Sequence, residues 1–175
     1  AGAGIDRMRV YATGISNGGF MSFRLAVDLA DRIAAIAPVT AQMTPQLAAR
    51  TPARPVPVLL LNGTADPLVP YRGGQVRVLG QNRGHVHSTD ATIRWWVAHN
   101  RAAAPTRIVW LRDRTRDGTR VQVTRYAGGP VGAEVVLYRI EGGGHTWPGG
   151  RQYLPRLLVG RVCRDIDGTK TIYDF

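Results

Sequence analysis

The sequence predicts an α/β fold in a single domain, a mostly parallel sheet flanked by helices. Three observations lead there. Short apolar runs of strand length alternate with segments of helical period, the pattern of strands joined by crossover helices. The run "VPVLLLNG" is apolar almost throughout, which suits a parallel strand covered on both faces. Glycine-rich turns, "TGISNGG" and "EGGGHTWPGG", fall directly after predicted strands.

Taken in order, "RMRVYAT" reads as a short strand ending at Thr13. "GGFMSFRLAVDLADR" follows as a helix, and Met21, Leu25 and Leu29 recur every four residues, which predicts that they mark its buried face. "IAAIAPV" is a second strand, expected to stop near Pro38. Prolines 45, 52, 55 and 57 break the region from Gln42 to Pro57 into loop with at most one helical turn. "VPVLLLNG" is the third strand. "STDATIRWWVAHN" is a helix with Ser88 as its N-cap. "RIVWLRDRTRDGTRVQVTRY" predicts a hairpin turning at Asp117-Gly118. "AEVVLYRIE" is another buried strand, and "CRDIDGTKTIYDF" reads as a closing helix.

Composition sets outer bounds. The chain has 175 residues, 44% of them hydrophobic, which is enough for one core. No apolar run approaches the roughly 18 residues of a membrane span. One cysteine, Cys163, rules out an internal disulfide and reads as a small core residue. The net charge is +11, and of 23 basic residues only Lys170 is lysine. These charges are spread along the chain, which fits either a solvated surface or attraction to an acidic partner.

The stretch "YATGISNGGF" places Ser16 between Gly14 and Gly18, where a predicted strand meets a predicted helix. A serine there is either part of a glycine-rich turn or a nucleophile raised above a sheet on a strained elbow. The glycines two residues to either side relieve the crowding of strand against helix, and the helix start beneath the serine favours developing negative charge. A serine hydroxyl needs a base, and the base needs an orienting acid. His145, in "EGGGHTWPGG", follows a buried strand, where active sites of α/β sheets collect. Asp66, in "NGTADPLVP", also follows a strand, although an aspartate before proline serves turns as well. The order Ser16, Asp66, His145 is the chain order of α/β-hydrolase triads. His85 and His87 lack a third metal ligand nearby apart from Asp90, so no metal is expected. His99 ends its helix, where a cation suits the dipole.

Together "YATGISNGGF", "PVPVLLLNGTADPLVPYRGG" and "GAEVVLYRIEGGGHTWPGG" resemble the poly(3-hydroxybutyrate) depolymerase and feruloyl esterase family of serine esterases with the α/β-hydrolase fold. The resemblance implies Ser16 as nucleophile, Asp66 as acid partner, His145 as base, the Asn17 backbone N–H as oxyanion donor and Trp147 as a wall of the substrate pocket. It implies an ester substrate, either a hydroxyalkanoate polyester or oligomer or a polysaccharide-linked ester, with no cofactor and an extracellular or periplasmic location. Family members often pair cysteines around the positions of Asn100 and Ala127, where this chain has none, so packing is expected to hold that region. Only 15 residues precede Ser16. An α/β-hydrolase spends several strands before its elbow, so residues 1–175 are expected to be the C-terminal half of the fold, its N-terminal strands and second oxyanion donor lying in a longer polypeptide.

Two rivals stay open. A serine peptidase of the same fold shares the elbow and the triad order. A non-enzymatic polyanion-binding domain would use Arg112, Arg114 and Arg116 at strand spacing, with Arg120 and Arg125 on the return strand. No nucleic-acid recognition motif accompanies them, and Asp113 and Asp117 interrupt the ribbon, so nucleic acid is not expected.

Overall fold

The computed structural model describes residues 4, 6, 9–78, 80–129 and 132–175, with the side chain of residue 106 excepted. Six strands form one sheet in the order β1-β2-β3-β8-β7-β6. Here β1 is Tyr11–Ile15, β2 Ala35–Val39, β3 Val58–Gly63, β6 Pro105–Trp110, β7 Arg120–Tyr126 and β8 Val135–Glu141. The first four in that order are mutually parallel, and β7 and β6 extend the sheet antiparallel. A separate hairpin joins β4 (Gly74–Val78) to β5 (Gln81–Val86). The helices are α1 (Asn17–Asp28), α2 (Pro45–Ala48), α3 (Thr89–His99), α4 (Arg156–Val159) and α5 (Gly168–Tyr173).

β3 lies in the middle and is buried at every position. Its alternation sends Val58 and Leu60 to one face, against Phe23 and Ala26 of α1 and Ile93 and Trp96 of α3. Leu59 and Leu61 face the other side, where Trp147, Ile166, Ile172 and Phe175 pack. One core therefore covers each face of the parallel strands, which is what the continuous apolar run requires.

The differences from the sequence reading have local causes. The first strand begins at Tyr11, not further upstream, and residues 7 and 8 of its expected span lie outside the described residues. In α1 the buried face is Gly19, Ser22, Phe23, Ala26 and Val27, whereas Met21 is 56% and Leu29 38% exposed. The four-residue recurrence of Met21, Leu25 and Leu29 was thus the wrong stripe, since small residues and Phe23 take the close approach to the sheet. β2 runs through Pro38 with a rung missing from the ladder to β3. Its neighbours still bond, Ile36 N to Pro57 O and Thr40 N to Leu61 O, both at 3.0 Å. The hairpin of β6 and β7 pairs only as far as Trp110 with Gln122, so Arg112, Arg114 and Arg116 sit on a loop, not on one face of a ribbon. Carboxylates fold that loop: Asp165 accepts from the N–H groups of Arg114 and Thr115, and Asp113 from that of Arg116. Sequence reasoning also missed β4, β5 and α4, and α5 is shorter than the closing helix it expected.

Near Asn100 and Ala127, side-chain hydrogen bonds supplement packing. Asn100 is fully buried and donates from Nδ2 to Val56 O (2.8 Å) and Ala133 O (3.2 Å), while its Oδ1 accepts from Val56 N. One amide thereby ties the end of α3 to the entries of β3 and β8.

Candidate active site

Ser16 follows β1 immediately and precedes α1, with φ 55° and ψ −117°. That backbone is costly for a residue with a Cβ, on the order of 1–3 kcal/mol. Two contacts hold it: Ser16 N donates to Val39 O, and Ser16 O accepts from Phe20 N, each at 2.9 Å. The elbow also depends on glycine, at Gly14 as expected but at Gly19 in place of Gly18. A Cβ on Gly14 would lie 2.7 Å from the Cα of Gly18, and one on Gly19 would lie 2.7 Å from the Ala41 Cβ. A Cβ on Gly18 meets nothing within 4 Å. Gly14 and Gly19 are therefore the pair that lets α1 cross β1 and β2, and Gly18 supplies only bare backbone.

Asn17 is the first residue of α1, and no side chain caps that end of the helix. Its N–H belongs to the orphan donors of a helix start, next to the Ser16 hydroxyl. Among the described residues Ser16 Oγ makes no hydrogen bond, so it is not engaged with His145.

Asp66 and His145 do meet. Their Oδ2 and Nδ1 atoms are 2.8 Å apart, and both residues are buried, at 8% and 3% exposure. The other carboxylate oxygen, Oδ1, accepts from Leu68 N (2.8 Å) and Val69 N (2.9 Å). The two readings of this aspartate are thus both true, since one oxygen makes the turn and the other faces the imidazole. A carboxylate accepts, so Nδ1 is the donor of this bond and Nε2 is the ring nitrogen left for other partners.

The loop that carries His145 is braced from a segment the sequence reading passed over. His145 N donates to Val159 O (2.6 Å), Gly144 N to Arg161 O (2.9 Å), and the Tyr153 hydroxyl to His145 O (2.8 Å). Burial, followed by the Asp66 charge, pushes the Tyr153 phenol above its usual range, so it stays a donor. Gly63, at the end of β3, lies so close to this loop that a Cβ there would be 2.3 Å from Gly143 O.

Trp147 is partly buried. Its indole N–H donates to Thr169 Oγ1 (3.1 Å), and its ring packs with the core under α5. His99 stacks on Trp95 at 5.5 Å and closes α3 against Arg54 O. Among the described residues no group of three His, Cys, Asp or Glu side chains could hold a metal ion. Cys163 is buried, and that burial pushes its thiol up. No described helix is long and apolar enough to cross a membrane.

Two residues gave no signal in the sequence. Thr40 directly follows β2, beside Ser16 in the parallel register, with φ 48° and 2% exposure. Gln42 is 1% exposed two residues further on. Neither has a motif around it, and only the fold brings them to the Ser16 elbow.

Two curated proteins resemble this chain. "Putative esterase NocK" from Nocardia uniformis subsp. tsuyamanensis is 32% identical over 179 residues, covering 99% of this chain and 52% of that protein. "Feruloyl esterase B" from Piromyces equi is 30% identical over 145 residues, covering 81% of this chain and 26% of that protein. The chain thus spans about half the length of the first and about a quarter of the second. No family model matches it.

Proposed function

We propose that this chain carries the acid–base half and the nucleophile of a serine carboxylesterase, with Ser16, His145 and Asp66 as its triad. The observation that carries the reading is the buried Asp66–His145 hydrogen bond, made between loops that follow β3 and β8, on the same side of the sheet as the Ser16 elbow. The names of both relatives support ester over peptide hydrolysis.

Ser16 Oγ attacks the ester carbonyl carbon while His145 Nε2 takes its proton. The tetrahedral oxyanion is held by the Asn17 N–H, a contribution of about 3 kcal/mol per donor. The alcohol then leaves with the proton from Nε2. Water attacks the acyl-enzyme, gives its proton to Nε2, and the acid departs as Ser16 regains a proton. Asp66 keeps the imidazole in the productive tautomer. The free Ser16 hydroxyl fits this scheme, because such bonds tighten only when substrate is bound. Trp147 is assigned to the flank of the site by its place two residues past His145. Hydroxyalkanoate and polysaccharide-linked esters are the substrate classes proposed.

The test is hydrolysis of p-nitrophenyl acetate set against a peptide anilide, in the full-length protein and in Ser16→Ala. Ester turnover that disappears in the variant supports the assignment. Turnover retained by Ser16→Ala, or a preference for the anilide, overturns it.

A further inference from the structure

Beside Asn17 a groove of about 440 Å³ opens between α1 and the segment around α2. Asn17, Met21 and Arg24 recur at helical spacing along its wall, so the groove runs from the nucleophile down the helix. Met21 and Leu47 supply apolar surface, and among the described residues no aspartate or glutamate lines it. From Ser16 to Arg24 is eight residues of helix, a rise of about 12 Å.

The far end is cationic. Arg24 and Arg50 both pair with Asp28, Arg50 Nη1 at 2.6 Å from Oδ1. Two guanidinium groups on one carboxylate leave one positive charge over, and both side chains are about half exposed. Gln42 is 1% exposed and part of the wall. Its Nε2 donates to Pro70 O (3.1 Å) and Thr89 Oγ1 (3.2 Å). A carbonyl can only accept, so the amide is fixed this way round. Its Oε1 is buried and has no hydrogen-bond partner among the described residues. That oxygen is closed off from solvent, so its unmet bond is a cost internal to the fold and not a contact open to a ligand.

We propose that this groove holds an arm of the ester that ends in a carboxylate, bound between Arg24 and Arg50. The proposal rests on the esterase reading and names the substrate's charge. An aliphatic stretch of the arm covers Met21 and Leu47, and its acid reaches the two arginines at the far end of the groove. The net charge of +11 acts in the same direction, raising the local concentration of anionic esters. The carboxylate can belong to the acyl part or to the alcohol part.

The experiment compares matched esters in the full-length protein. One arm sets p-nitrophenyl hemisebacate against p-nitrophenyl decanoate, ten-carbon chains that match the length of the groove. The other sets the acetyl ester of ω-hydroxydecanoate against decyl acetate. The reading is the ratio of kcat/KM for the anionic over the neutral ester. We expect a ratio above unity in one arm, falling about fivefold in Arg24→Gln and in Arg50→Gln, the scale of a part-exposed ion pair. Asp28→Asn removes the competing carboxylate and should raise the same ratio about twofold. The arm that responds assigns the groove to acyl or alcohol. Ratios at or below unity in both arms, or ratios that ignore all three substitutions, overturn the proposal while neutral-ester turnover leaves the esterase reading intact. Failure to cleave any of the four esters, with no fluorophosphonate label on Ser16, overturns the esterase reading itself.

Discussion

Asp66 and His145 sit in a buried, cross-braced pocket, whereas Ser16 stands at the end of β1, which among the described residues pairs on one side only, with β2. The first pair is fixed by side chains and loop contacts: the imidazole by a carboxylate, the carboxylate by two backbone N–H groups, and the loop by Val159, Arg161 and Tyr153. The serine is fixed by backbone alone, through the hydrogen bonds with Val39 O and Phe20 N and the close approach of Gly14 to the bare backbone of Gly18. The lesson is a division of labour. In the proposed triad the base takes its orientation from side-chain and loop hydrogen bonds, and the nucleophile takes its position from backbone contacts alone.

That contrast can be broken at either half. The largest expected effect is on the nucleophile. Ser16→Ala should lower kcat by about 10⁶-fold with an unchanged melting temperature, since only a hydroxyl is removed. On the other half Asp66→Asn should cost about 10⁴-fold by allowing the wrong tautomer. It should also weaken the fold, because Leu68 and Val69 lose a charged acceptor. A joint kinetic and melting series reads both differences, and an Asp66→Asn protein with normal turnover would remove the side-chain half of the comparison.

Gly14→Ala attacks the steric half without touching a reacting group. Its Cβ would press on Gly18 backbone at 2.7 Å, so we expect about 3 kcal/mol of destabilisation by urea denaturation, with turnover falling alongside. Gly18→Ala, which meets nothing within 4 Å, should keep its stability, and the pair of variants separates the two glycines.

Tyr153→Phe removes one brace from the His145 loop. A loss of about 1 kcal/mol in stability and a few-fold in kcat is expected. Unchanged kcat would show that the remaining braces suffice.

The smallest effect concerns acid. Burial alone would raise the Asp117 carboxyl, but hydrogen bonds from Thr119, the Arg164 N–H and Thr115 outweigh it and hold it below the usual range. A carboxyl lowered in the folded state adds stability above its unfolded value, about 3.9, and loses it as pH falls through the folded one. Wild-type protein should therefore lose more melting temperature than Asp117→Asn on acidification below about pH 4.

Much of this was legible in the sequence, where local chemistry decides it. The apolar run of β3, the Ser88 cap, whose Oγ accepts from Ala91 N, and the strand–glycine–helix turn at Ser16 all announce themselves within a few residues. What stayed hidden depends on contacts distant in the chain. The face of α1 was misjudged because Gly19 and Ser22 carry no hydrophobic signal, yet they allow the closest approach. The β4–β5 hairpin escaped because "QNRGH" is polar and exposed, with no alternation to read. Tyr153, Thr40 and Gln42 matter through positions that only the sheet order assigns.

Fluorophosphonate labelling followed by peptide mapping, on the full-length protein, tests the central claim most directly. The account predicts one labelled site, Ser16, with labelling slowed sharply by Asp66→Asn although that residue is 50 positions away in the chain. A label on another serine, or Ser16 labelling at the same rate in the variant, would contradict it.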